Sequence, residues 1–111
     1  MSYSFMSNIS NFDNILEPDS SYITASSNEE IKFTDKNQIN QKAFFLMVRA
    51  HADNDVLIQI QPYGYGVYIP ASEMWSVDSF NEIDSIVVKK FFNNSGQSIG
   101  SGKLQWMIGY K

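Results

Sequence analysis

Apolar and polar positions alternate strictly at the end of the chain. In Lys103-Leu104-Gln105-Trp106-Met107-Ile108-Gly109-Tyr110-Lys111, the residues Leu104, Trp106, Ile108 and Tyr110 fall on one side, and Gln105, Met107 and Gly109 on the other. A period of two is the mark of a half-buried β-strand. A strand this apolar must be paired, because an open edge of that kind is sticky. Ile83-Asp84-Ser85-Ile86-Val87-Val88 reads as a second strand, and residues 93–102, Asn-Asn-Ser-Gly-Gln-Ser-Ile-Gly-Ser-Gly, form the loop between them. The two strands are expected to make a terminal hairpin that commits the C-terminal end to a sheet.

A second strong signal lies over residues 43–50. Phe44, Leu46, Val48 and Ala50 form one apolar face, while Ala43, Phe45 and Met47 begin another that turns polar at Arg49 and His51. A strand apolar on both faces is expected between two layers at that end. Ala52-Asp53-Asn54-Asp55 has the chemistry of a hairpin turn, since Asn and Asp tolerate positive φ. Val56, Ile58 and Ile60 then alternate with Leu57, Gln59 and Gln61 until Pro62 stops the strand. The Tyr/Gly-rich stretch 63–70 leads into another short strand, and residues 71–80 cross to the final pair. Turn signals at intervals of about 8–15 residues point to an all-β protein, an antiparallel β-sandwich or small barrel of about six to seven strands.

The first 40 residues differ from the rest. They are rich in Ser, Asn and Asp, with single apolar residues such as Phe5, Met6, Ile9, Phe12, Ile15 and Leu16. Asn11-Phe12-Asp13-Asn14-Ile15-Leu16 can make one helical turn, which Pro18 ends. Residues 22–24 and 31–34 can each form a short strand. The division expected is therefore a polar, partly extended N-terminal arm over 1–40 and a β-sandwich domain over 41–111. The arm is either a partly ordered tail or a segment that folds against a neighbouring subunit, with its isolated apolar residues as anchors.

Composition narrows the function classes. The 111 residues are 43% hydrophobic and 14% aromatic, which fits one folded domain with one modest core. Net charge is −4, and the eight basic residues are scattered, so no basic stripe suits nucleic acid. With no cysteine, disulfides, thiolate nucleophiles and Cys-based zinc sites are excluded. No secretory leader and no apolar run of membrane-spanning length is recognisable, so a product made in the cytoplasm is expected. On that expectation the sequons at Asn8 and Asn93 are chance matches.

No catalytic set emerges. The glycine-rich loop fails as a phosphate-binding motif: the first glycine of the pattern would fall at Gln97, Lys103 is followed by Leu104, and a strand follows rather than a helix. His51, the single histidine, stands near Asp53 and Asp55 without a flagged nucleophile or a second histidine. Glu73, Asp78, Glu82 and Asp84 near Trp75 resemble the paired acids of glycosidases, but the chain is short for a supported cleft. Asp53-Asn54-Asp55 begins a calcium-loop spacing that lacks its glycine and later glutamate. No catalytic, cofactor or metal residue is therefore assigned. The rings of Tyr63, Tyr65, Tyr68 and Trp75 have three readings: core, subunit interface or a carbohydrate platform. Phe5, Phe12, Ile15, Leu16, Tyr63, Tyr65 and Trp75 are the candidate protein-interface residues.

The segment Ile69-Pro70-Ala71-Ser72-Glu73, continuing through Phe80-Asn81-Glu82-Ile83-Asp84-Ser85-Ile86-Val87-Val88 to Gly100-Ser101-Gly102-Lys103-Leu104-Gln105-Trp106-Met107-Ile108-Gly109-Tyr110, resembles the end of small virion-associated proteins of tailed bacteriophages. In those a polar link leads to an Ile-x-x-Ile-x-Val strand, then a Gly/Ser turn and a final strand with an aromatic near its end. The likeness covers a little over a third of the chain and has no invariant motif. It implies a non-enzymatic capsid-decorating, head-fibre, head–tail or tail-component protein located in the virion. Such a protein binds other virion proteins (major capsid, tail or neck) in many copies. It also implies a homo-oligomer, trimers being common in capsid decoration. Two alternatives stand beside it: a carbohydrate-binding host-recognition module, and a small accessory protein that binds one host protein.

Overall fold

The computed structural model describes residues 14–18 and 21–110, so the expected anchors Phe5 and Phe12 lie outside the described residues. The described residues form ten strands and no helix: β1 (Asn14–Leu16), β2 (Ile23–Ser26), β3 (Glu30–Lys32), β4 (Ala43–Ala50), β5 (Asp55–Gln61), β6 (Tyr65–Ile69), β7 (Met74–Ile83), β8 (Ser85–Phe92), β9 (Ser98–Ile99) and β10 (Ser101–Tyr110). Six have five or more residues, which is the number the alternation reveals; the remaining four are too short to leave a periodic pattern.

The strands build an antiparallel sandwich. The first sheet runs β1-β10-β4-β7 with β2 also on β10; the second runs β3-β8-β5-β6 with β9 also on β8. The chain changes sheet at six of the nine connections between the described strands, and only β5–β6 and β8–β9 join neighbours in the same sheet. Between the sheets lies one core that includes Phe33, Leu46, Val48, Ile58, Ile60, Ile86, Phe91, Leu104, Trp106 and Ile108. Register explains the layering: Trp106 sits beside Val48 and Val48 beside Trp75, all facing inward, while the adjacent row Met107, Met47, Ser76 faces out.

Four expectations change. The terminal pair is no hairpin, because β8 and β10 lie in different sheets. The loop between them first turns back at 93–96 to pair β9 with β8, then crosses to the other sheet. Gly102 makes that crossing close: a Cβ there would overlap the Phe91 ring. The turn after Ala50 also changes sheet rather than closing a hairpin. Asn54 is buried in it, and its amide donates to the Lys103 carbonyl at 3.0 Å while accepting from the Lys103 N–H at 2.9 Å. One side chain thus satisfies two backbone groups of β10 at the corner of the sandwich.

The proposed boundary near residue 40 is not an edge of the fold. β2 pairs with β10, β3 pairs with β8, and Phe33 is fully buried with its ring centroid 5.2 Å from that of Trp106. Residues 14–16 form a strand on β10 rather than a helical turn, with Ile15 opposite Gly109 and Leu16 opposite Ile108. Pairing with the free edge of β10 outweighs a single unsupported turn of helix.

Candidate functional site

The exposed rings gather at one end of the two sheets. β6 closes the second sheet and β7 closes the first, each with an unpaired edge among the described residues. Of the large apolar side chains left exposed, Tyr63, Tyr65, Tyr68 and Phe80 lie on or beside these two strands.

The β5–β6 hairpin presents the first two. Gly64 has φ of +83°, a conformation glycine adopts without steric cost, and its N–H donates to the Ile60 carbonyl at 2.7 Å. That turn places Tyr63 and Tyr65 on either side, with ring centroids 6.2 Å apart and planes 20° from parallel. Tyr63 is also tied across to the other sheet, its hydroxyl donating to the Glu82 carbonyl at 2.7 Å.

Phe80 comes from an extrusion of β7. Asp78 pairs with Phe45 and Ile83 with Ala43, so four residues, 79–82, span the register of one, Phe44, and bulge from the ladder. The Ser79 hydroxyl donates to the Asn81 carbonyl at 2.6 Å, stiffening the bulge, and Phe80 at its tip is 102% exposed. Phe44, Asp78, Ser79 and Phe80 line a hollow of about 130 Å³ at its base. Sequence reasoning passed over Phe80. The available signal was a lone aromatic in the polar run Asp78-Ser79-Phe80-Asn81-Glu82, where no alternation gives it a buried face.

Tyr68 is held differently. Its hydroxyl donates to the Asp55 carboxylate and its ring lies 6.0 Å from Phe92. The bond to Asp55 raises the phenol above its ordinary value, because ionisation would set two negative charges together. Asp55 also accepts from the Ala71 N–H at 2.8 Å, so this carboxylate pins the connection into β7.

The other candidates are dispersed. Trp75 is half-buried and packs on the main core, away from the exposed rings. Leu16 also packs on the core, whereas Ile15 is exposed on the opposite end strand of the same sheet. The acids near Trp75 form no cleft around it: Trp75 faces the core, Asp78 faces out, and Asp84 pairs with Lys42 at 3.0 Å. His51 meets Tyr22 edge-on at 4.8 Å and Asp53 at 3.4 Å, in a surface turn.

A concavity of about 640 Å³ lies between β1 and the turn at 34–38. Its carboxylate Asp35 is committed to structure. Hydrogen bonds from the Gln41 side chain and the Ile39 N–H lower its pKa below the ordinary 3.8. Among the described residues, no three His, Cys, Asp or Glu side chains come together as a metal-binding group.

No family model matches the sequence, and no curated protein matches it. Among solved structures, the chain is similar to a cupin superfamily protein from Desulfitobacterium hafniense DCB-2. That likeness has 10% identity and a TM-score of 0.46, over 90% of this chain and 81% of the other.

Proposed function

We propose that the protein is a non-enzymatic structural component of a tailed-bacteriophage virion, binding other virion proteins in several copies through the β6–β7 edge. The observation that carries the binding reading is Phe80: a fully exposed aromatic on a stiffened bulge, beside Tyr63, which is anchored to the same bulge through Glu82. Aromatic anchors near the centre of an interface carry much of the binding energy. Two strands whose outer edges are unpaired among the described residues offer backbone groups beside it for strand addition. The virion placement is supported by the resemblance of residues 69–110.

The carbohydrate reading retains one observation in its favour, the near-parallel Tyr63 and Tyr65 rings. Light scattering on sized fractions separates the readings. The assembly reading predicts a trimer or larger closed ring for the native chain. It also predicts a monomer for the double variant Tyr65→Ser, Phe80→Ser, with the circular dichroism of the folded sandwich retained. A native monomer that binds oligosaccharide, and loses that binding in Tyr63→Ser and Tyr65→Ser, supports the sugar module instead.

A further inference from the structure

Arg49 is the chain's single arginine, and among the described residues it has no carboxylate partner. It is half-buried at the end of β4, between Gln105 of β10 and Met74 of β7. Its Nε is closed off from water with no hydrogen-bond partner, and its Nη2 lies 3.9 Å from the Met74 sulfur. Withdrawing a guanidinium from water in this way is costly unless an anion faces it. Lys103 adds a second positive charge on the same side of the sheet. It is exposed, unpaired among the described residues, and diagonal to Arg49 across β10, roughly 7–8 Å away at ordinary strand geometry.

The acids of the chain narrow what that anion is. Glu29, Glu30, Asp35, Asp53, Asp55 and Asp84 are each engaged in a hydrogen bond or an ion pair. Among the described residues that leaves Glu17, Glu73, Asp78 and Glu82, all exposed. Two of these, Asp78 and Glu82, flank the exposed Phe80 on the β7 bulge. Within one copy they do not reach Arg49: Met74 stands opposite Arg49, and Asp78 is four residues further along β7, roughly 13 Å away.

On the reading that the β6–β7 edge joins copies of the chain, we propose that the missing anion is the β7 bulge of a second copy. Asp78 and Glu82 of one copy meet Arg49 and Lys103 of the next, and Phe80 lies over the Met74 and Arg49 side chains. A carboxylate on a guanidinium is among the strongest charged contacts, and its two oxygens match the fork of the arginine. An aromatic ring is favoured against both a thioether and a guanidinium. Bulge and patch are different surfaces, so the contact is head-to-tail and repeats around an axis into a closed ring.

Light scattering on sized fractions tests this, with circular dichroism to confirm the fold of each variant. Reversing the patch with Arg49→Glu and Lys103→Glu is expected to weaken assembly by more than about 30-fold. Because Arg49 is half-buried, Lys103→Glu alone serves as a second patch variant on an exposed side chain, and a several-fold loss is expected. Reversing the bulge with Asp78→Lys and Glu82→Lys is expected to match the loss of the patch pair. A chain carrying all four changes restores opposite charges and is expected to recover most of the assembly. Native-like assembly in a folded patch variant overturns the proposal, and so does a folded four-change chain that assembles no better than either pair. If Phe80→Ser still disperses the assembly in that case, the β6–β7 reading stands and only the patch is wrong. A native chain that stays monomeric overturns both.

Discussion

Trp106 shows how a single residue reads through from sequence to packing. Its place in the Leu104, Trp106, Ile108 alternation predicts burial; it is 5% exposed and meets the fully buried Phe33. Trp106→Ala is expected to cost about 3–5 kcal/mol in denaturant unfolding, as a large core truncation. A loss under about 1 kcal/mol would place the indole outside the core. Asn54 and Gly102 were legible only as turn residues, because a hairpin turn and a corner between sheets draw on the same residue types. What distinguishes them is tertiary: the Asn54 side chain bonds both backbone groups of Lys103, and Gly102 lies against Phe91. Asn54→Ala is expected to lose about 1–3 kcal/mol, since it removes the partner of the Lys103 N–H and leaves the Lys103 carbonyl with the His51 N–H alone. Gly102→Ala, which sets a methyl against the Phe91 ring, is expected to lose about as much through overpacking. Wild-type midpoints in both variants would remove the corner from the account.

At the scale of elements, the sequence revealed strands and their faces more clearly than their partners. Alternation fixes which side of a strand is apolar, but β8 and β10 would show the same pattern in one sheet or in two. The short strands β2 and β3 were legible as possibilities, and their inclusion in the sheets depends on the free edges of β10 and β8. The β7 bulge was not legible at all. It exists because β4 advances from Phe45 to Ala43 while β7 advances from Asp78 to Ile83, and that mismatch belongs to the pair rather than to either strand. The bulge is fastened by the Tyr63 hydroxyl on the Glu82 carbonyl. Tyr63→Phe keeps the ring and removes this bond, so amide exchange over residues 79–82 should quicken several-fold while β4 and β10 stay as protected as before. Unchanged exchange in the bulge would show that it stands without Tyr63.

At the scale of the molecule, the two ends of the sandwich differ. One end joins the short strands β1, β2, β3 and β9 to β10 and β8; the other ends in β6 and β7, unpaired on their outer edges among the described residues, and carries most of the exposed rings. Composition had pointed to a globular protein without catalytic groups and with surplus aromatic area. It could not say that the surplus sits at a single edge, since that follows from the hairpin, the bulge and the sheet order together. The central claim, that the β6–β7 edge binds protein, is tested most directly by amide hydrogen exchange at protein concentrations spanning assembly. The account predicts that amides of 65–69 and 74–83 gain protection as concentration rises, while those of β3 and β9 do not. Exchange at the β6–β7 edge that stays the same through assembly, with protection gained elsewhere, would contradict it.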